Sequence, residues 1–500
     1  MKIKYPIFLF IAFSIFFLSY SRVFTEPDEL KYVEISREML EIKNFLYPLY
    51  NYELYLDKGP IYFYILIFSQ KIFGENKFSF IFPSQVFSLL ILIIFYKLLK
   101  LLEIKEEEAL LSILVLFSSI QYHFLSKAVR MDIVLSFFVI FSYYLLFLKL
   151  FKEKKGLEIF YGLLLSLALL TKGPVGLIWF WAVPIIYGLF EKEKKVFKFI
   201  FHPLTIFFSF LPVLIWLFFL YNELGYEPFK EIFLKQTAGR ILSSFAHKRP
   251  IYYYFYSLPI VFFPFTFFLP FSFFRKNIYR ENKFLFLWFL VPFIIFSLIS
   301  GKLTIYLLPL SPAISFFISK FLLSEKYKTK IILSMLTIIF IIFGILLADF
   351  SNYEIFKNIK ILFLWFSITF FLLFFKNKYL PAIFCIFSLI FNILLSILFY
   401  PLIYSNSLKN LSLKYKILSK KQEYGYAFWD IKPSFLYYSH KKFIELHKNE
   451  ELERHLKEGK YIIIKEKNYD FLPVEVRKNI KINYKKERLG EDFYIISIPN

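Results

Sequence analysis

YPIFLFIAFSIFFLSY (residues 5–20) runs almost directly into FTEPDELKYVEISREML (residues 24–40). The first stretch has the length and apolarity of a membrane span. The second opens like a capped, acidic helix, with Thr25-x-x-Asp28 at capping-box spacing. A solvated linker would be rich in Ser or Gly, and a stop-transfer flank would be basic. Lys2 and Lys4 precede the apolar run as in a signal peptide, but no small-residue cleavage site follows it, so it reads as a retained first span.

Similar runs recur at roughly 61–73, 78–101, 107–126, 132–150, 157–171, 174–190, 199–221, 252–274, 283–300, 303–323, 329–349, 360–375 and 379–403. Most approach the roughly 17–25 residues that a helix needs to cross about 30 Å of hydrocarbon. The 500 residues are 58% hydrophobic and 23% aromatic, more apolar than a soluble domain of this length requires. This is the sequence of a polytopic membrane protein.

The net charge of +23 does not point to nucleic acid, because the lysines sit in short clusters between apolar runs. Segment 61–73, IYFYILIFSQKIF, is short and carries Gln70 and Lys71, which suits an interfacial helix. If it does not cross and residue 1 is cytoplasmic, then KLLKLLEIKEEE, KLFKEKKG, EKEKKVFK, RKNIYRENK, SEKYKTK and KNK all fall inside, each with at least two Lys or Arg. Crossing would turn the later clusters outward. The expected fold is therefore an all-α membrane domain of about thirteen spans over residues 1–404. Residues 405–500 form a small outer α/β domain, with AFWD, KFIEL, YIIIKEK and FYIISIP as strands and NEELERHLKEGK as a helix. The sole cysteine, Cys385, lies in an apolar run, so no disulfide framework exists.

This topology collects polar residues on the outer face. They are Asp28, Glu29, Asp57 and Lys58 in the first loop, and Arg130 and Asp132 in the second. Lys172 follows in LLTKGPVGL, then Arg240, His247, Lys248 and Arg249 in the long fourth loop, and Lys302 and Tyr306 in SGKLTIYLLPL. Charges at membrane depth cost about 2.5–3.5 kcal/mol each on insertion scales, so partners or a wet cavity are expected. Carboxylates facing several cations suit a phosphate-bearing ligand and an acceptor whose proton must be removed. Each residue also has a plainer reading. Asp28 could satisfy helix-end amides, Lys172 could snorkel, and Arg130 and Asp132 could merely flank a span. One histidine does not make a metal site, and IYYYFY suits an interfacial belt.

In order along the chain, PDELKYVEISREML, LDKGPIYFY, LLTKGPVGL, HKRP and GKLTIYLLPLSPA resemble the GT-C superfamily of membrane glycosyltransferases. The resemblance is to the branch holding the lipid A aminoarabinose transferases and bacterial relatives of the protein O-mannosyltransferases. KPSFLYYSHKKF is similar to a segment of that branch's periplasmic domain. The resemblance implies transfer of a sugar from a polyprenyl-phosphate carrier, with inversion, to lipid A, a cell-surface glycan or a protein. The reaction would take place at the outer face of the inner membrane, among membrane lipids and without nucleic acid. It implies that Asp28 and Asp132 are catalytic and that Lys58, with Arg240 and Arg249, holds carrier phosphate. Glu29, Arg130, Lys172, Lys302 and Tyr306 are implied to line the same site. A divalent metal is implied at Asp57 and His247. The sequence departs from the family's pattern at Leu30-Lys31, at Asp57, at Gly59 where relatives carry proline, and at Lys235-Gln236. A flippase for lipid-linked saccharides and a polymer ligase are the competing readings. Against a flippase, no charged motif interrupts the middle of a span.

Overall fold

The computed structural model describes residues 4–17, 22–231, 248–273, 280, 282–324, 380–405, 407–487 and 491–499. Helices dominate: α1 (Lys4–Phe17), α2 (Asp28–Ile42), α3 (Ile61–Phe73), α4 (Lys77–Leu101), α5 (Glu106–Ser118), α6 (Ile120–Leu125), α7 (Met131–Lys152) and α8 (Leu157–Lys172) precede several further helices. Among the described residues, Lys77–Leu101, Met131–Lys152, Lys194–Leu224 and Thr304–Leu323 are long and apolar enough to cross a membrane. Pro6–Phe16, Ile61–Phe73, Val175–Glu191, Lys283–Leu298 and Pro381–Ile397 are shorter apolar helices. Together they make a multi-pass membrane protein. The expected spans 329–349 and 360–375 lie outside the described residues.

Several expected spans are interrupted, for identifiable reasons. The run 107–126 breaks at Ser119, whose extended ψ of 141° separates α5 from α6. The run 252–274 becomes the helix Tyr253–Val261, a 3-10 turn Phe265–Phe268 and a short helix Leu269–Phe273. Pro264, which has no N–H to donate, stands at the first break. The run 303–323 begins with a 3-10 turn, Thr304–Leu310, that contains Pro309. Helix α4 starts where expected because Asn76 and Ser79 form a reciprocal capping box.

Beyond the bundle lies the expected α/β unit. Its sheet has the order β4-β3-β5-β7-β6, with β3 (Gly425–Phe428), β4 (Phe443–Leu446), β5 (Ile462–Lys465), β6 (Lys481–Lys486) and β7 (Phe493–Ser497). Strand β3 is parallel to both β4 and β5, while β7 runs antiparallel to β5 and β6. Each face buries its own apolar cluster, one around Tyr415, Phe435 and Ile495, the other around Tyr426, Leu452 and Ile464. Strand β6, KINYKK, is absent from the sequence expectation. It is an exposed edge strand whose lysines obscure any alternation, as edge strands often do.

Several contacts tie this unit to the segments that flank α2. The hairpin of β1 (Leu49–Tyr50) and β2 (Glu53–Leu54) turns through Asn51 and Tyr52, both in the left-handed region at φ 58° and 57°. The Glu38 carboxylate accepts from both turn amides, at 2.9 and 2.8 Å. Asn51 then pairs reciprocally with the Phe443 backbone of β4, at 2.9 and 2.8 Å. Further along, Ser434 donates through its N–H (3.2 Å) and its hydroxyl to Glu26.

Gly59 fixes the other side of the first outer loop. A Cβ at this position would stand 2.0 Å from the Leu170 carbonyl oxygen of α8. Backbone cannot yield as a side-chain tip can, so Gly59→Ala should push the Asp57–Pro60 turn off α8. Overpacking of this kind costs about 1–3 kcal/mol. Thermal unfolding in detergent should show a lower midpoint for that variant, with the loss confined to this turn in hydrogen exchange.

Candidate active site

Glu29 opens the site from below. It is fully buried, and both of its oxygens are engaged. Arg22, at the end of the first apolar stretch, pairs with it (2.9 Å through Nη1), and the Thr25 N–H and hydroxyl donate to it at 2.8 and 2.7 Å. The Val129 N–H of the second outer loop donates at 2.7 Å. Burial would raise this carboxyl, but the Arg22 charge and hydrogen bond, with those from Thr25, reverse that and hold it below the usual range. Glu29 therefore locks two loops together and offers no open oxygen to a substrate, unlike the role expected of it.

The same lock frees Asp28. Helix α2 begins at Asp28 with Pro27 as its cap and no side-chain capping bond. Thr25 closes on Glu29, so the expected Asp28 cap is not made. Asp28 instead forms a half-exposed ion pair with Arg130. Two residues after Arg130, Asp132 pairs with Lys172 in a nearly buried contact. The Lys172 ammonium also stands 4.5 Å over the Tyr306 ring. Asp28, Arg130, Asp132, Lys172 and Tyr306, drawn from four separate segments, thus form two ion pairs joined by the attraction between Arg130 and Asp132, two residues apart.

Lys31 belongs beside them, although sequence reasoning saw it only as a departure from the family pattern. One turn beyond Asp28, its ammonium lies 4.9 Å over Tyr50 and 4.4 Å over Tyr55. Burial lowers its pKa, offset in part by attraction to Asp57 and Asp28. The i+3 spacing from Asp28 was the available signal. Asp57 is exposed and Lys58 half-buried, in the turn that Gly59 pins to α8.

Lys302 is buried, and its ammonium donates to the Arg249 carbonyl at 3.1 Å and to Ile299. It anchors the Arg249 segment, whose backbone N–H donates to Ser300 at 3.1 Å, and is not turned toward a ligand. The Arg249 guanidinium is exposed, 5.9 Å from the Tyr253 ring. Arg240 and His247 lie outside the described residues. Among the described residues no group of three His, Cys, Asp or Glu side chains could hold a metal. Asp57 and Lys31 attract one another, and of the two expected metal ligands only Asp57 falls among the described residues.

Comparison with known proteins places this arrangement. Residues 57–216 match the dolichyl-phosphate-mannose-protein mannosyltransferase family model. An uncharacterised protein of Aquifex aeolicus is 32% identical over 317 residues, 62% of either chain. The undecaprenyl phosphate-α-4-amino-4-deoxy-L-arabinose arabinosyl transferase of Wigglesworthia glossinidia brevipalpis is 30% identical over 413 residues, 79% of this chain and 71% of that one. This chain belongs to the aminoarabinose transferase family. The Yersinia pestis aminoarabinose transferase (strain Pestoides F) is 29% identical over 303 residues, so the chain spans about half of that relative's length and 62% of the Aquifex protein. The crystal structure of ArnT from Cupriavidus metallidurans bound to undecaprenyl phosphate superposes with a TM-score of 0.81, covering 99% of this chain and 98% of that one at 14% identity. Its apo form gives 0.82. The family fold, a GT-C helical bundle with a small C-terminal sheet, is thus shared nearly end to end.

The Glu29 lock has a pH signature. A carboxyl depressed on folding stabilises the protein above its unfolded pKa, and that contribution is lost as pH falls through the folded value. The unfolding midpoint of the native chain should therefore drop on acidification below the ordinary glutamate range near pH 4.5. The Glu29→Gln variant should begin lower at neutral pH and show a flatter acid limb. Parallel acid limbs would contradict the lock.

Proposed function

We propose that the chain is an inner-membrane glycosyltransferase that moves a sugar from a polyprenyl-phosphate carrier to an acceptor at the outer face, with inversion. The observation that carries this reading is the two joined ion pairs, Asp28 with Arg130 and Asp132 with Lys172, the latter beside Tyr306. It sets carboxylates and cations side by side, within a family whose named relatives handle undecaprenyl-phosphate sugars.

An inverting displacement needs a nucleophile on one side of the anomeric carbon and a stabilised leaving group on the other. The acceptor oxygen attacks, the bond from the anomeric carbon to the carrier phosphate oxygen breaks, and its electron pair leaves with the phosphate. Lys58 and Arg249, with Arg240 from the fourth loop, receive that anion. Asp28, half-exposed and held by Arg130, takes the acceptor's proton or orients the acceptor. Asp132 pairs with Lys172 and holds its ammonium in the same region, next to Tyr306. Lys31 adds a cation between Asp28 and Asp57. No step passes through a metal.

In this reading, α3 lies at the membrane surface and sets the Asp57–Pro60 turn at headgroup depth, and about thirteen helices cross the bilayer. Residues 1–404 form the membrane domain and residues 405–500 the outer one. The acceptor is lipid A or a related surface glycan; a protein acceptor is the second reading, favoured by the mannosyltransferase family match alone.

Proteoliposome assays with a radiolabelled polyprenyl-phosphate sugar test the assignment. Asp28→Asn should lower transfer about 10²–10⁴-fold, the usual yield of a general base, while carrier binding persists. Lys58→Ala should raise the donor KM. Full transfer by a folded Asp28→Asn protein, or lipid translocation without transfer, would remove the proposal.

A further inference from the structure

The C-terminal sheet holds a second polar cleft, away from the ion pairs described above. In the order β4-β3-β5 the first of three parallel strands lies in the middle, so the chain leaves β3 toward one neighbour and later returns on its other side. Where connections diverge in this way, the carboxyl ends of the strands leave a crevice, the usual ligand position of open α/β sheets. Here the crevice between the ends of β3 and β5 is a cleft of about 740 Å³. Trp429 stands at one side and Lys465 to Asn468 at the other, with Glu491 and Asp492 completing the wall.

Trp429 is the first residue after β3. Its backbone is left-handed, φ 65°, which is uncommon for a bulky side chain. The Leu446 carbonyl accepts from its N–H at 3.0 Å, and His447 meets its ring in a T-shaped contact at 4.9 Å. The conformation leaves the indole 54% exposed at the cleft. A strained, exposed aromatic is a feature that function retains more readily than stability does.

The charges in the cleft cancel one another. Lys465 pairs with Asp430 at 2.6 Å and with Glu491 at 3.4 Å, while Lys485 pairs with Asp492 at 3.3 Å. The lining holds three carboxylates against two ammonium groups, which disfavours a phosphate or another polyanion. What remains is a dense set of donors and acceptors beside an apolar ring. That combination suits a neutral sugar, its C–H face on the indole and its hydroxyls on the carboxylates and ammonium groups.

The cleft also has a physical route to the reaction centre. From Trp429 the chain passes Asp430 and Lys432 into the helix Pro433–Ser439, whose Ser434 grips Glu26, two residues before Asp28. That path bounds the distance from Trp429 to Asp28 at roughly 30 Å of extended chain. We propose that the cleft is a saccharide-binding subsite that holds an outer sugar of a glycan acceptor while another part of that acceptor meets Asp28. The sugar-binding claim stands on the cleft alone, and the identity of its occupant as the acceptor rests on the transferase reading.

The test uses the full chain in lipid nanodiscs. Saturation-transfer NMR with maltotriose, chitotriose and mannotriose should show binding of at least one, not displaced by inorganic phosphate. Trp429→Ala should weaken it about tenfold or more, as truncation of a buried aromatic anchor does, and Trp429→Phe should largely retain it. Asp492→Asn provides a second variant that leaves the indole in place and should also weaken binding. In transfer assays Trp429→Ala should raise the KM for a glycan acceptor by a similar factor and leave the donor KM where it was. No binding by any of the three sugars, displacement by phosphate, or native-like binding by both Trp429→Ala and Asp492→Asn would overturn the subsite. Sugar binding lost on Trp429→Ala in a protein without transferase activity would sustain the subsite and remove the transferase reading. An unchanged acceptor KM in an active enzyme would do the reverse for the acceptor's place in the cleft.

Discussion

A carboxylate wholly inside a protein must have its charge answered and its lone pairs filled, and Glu29 is where that requirement organises the outer face. The answering groups come from the end of the first span, from the turn before α2 and from the second outer loop. Removing Arg22 would leave an uncompensated charge in a bundle that is otherwise mostly hydrocarbon, and losing either neutral donor would leave an acceptor unfilled. The loops therefore have one low-energy arrangement relative to each other, and Asp28, adjacent in sequence, inherits a fixed position with its own carboxylate still half-exposed. A buried neighbour thus supplies the rigidity of Asp28.

The outer half of α2 repeats this logic toward the C-terminal sheet. Arg37 is held by Glu34 at 2.9 Å through Nε and by Glu41 at 2.6 Å, and Glu38 secures the hairpin that reaches β4. Burial, then the neighbouring charge of Glu34, pushes Glu38 up to about 8. The shift opposes a second full charge beside Glu34, which limits the charge packed beneath the hairpin. Helix α2 is thus a strut with Asp28 at one end and the sheet at the other.

Much of this was legible in the chain because membranes enforce simple rules. Apolar length marked the helices, and short apolar runs rich in Ile, Phe and Tyr marked β3, β4, β5 and β7. The motif order marked the family, as the 30% identity to the Wigglesworthia transferase bears out. What was not legible depends on contacts between distant segments. Glu29 and Asp28 are equivalent carboxylates in sequence, and what tells them apart includes Val129 and Arg130, a hundred residues on. Lys302 looked like a ligand-facing cation until its ammonium was found on backbone carbonyls. Ser119 gives no composition signal for a break, since serine within an apolar run is compatible with a helix. Strand β6 has its lysines facing solvent at a sheet edge, where no apolar pattern is required.

The contact of Gly59 with Leu170 has a consequence for how such sequences diverge. A proline at this position would need space that here belongs to the α8 backbone, so the two segments could not be exchanged independently with a chain that carries one. A chimaera that takes the first outer loop from one relative and the seventh and eighth helices from another would join surfaces shaped for different neighbours. The loop and the helix end form a single unit of inheritance, and recombination within the family should respect that boundary even though 111 residues separate its two halves.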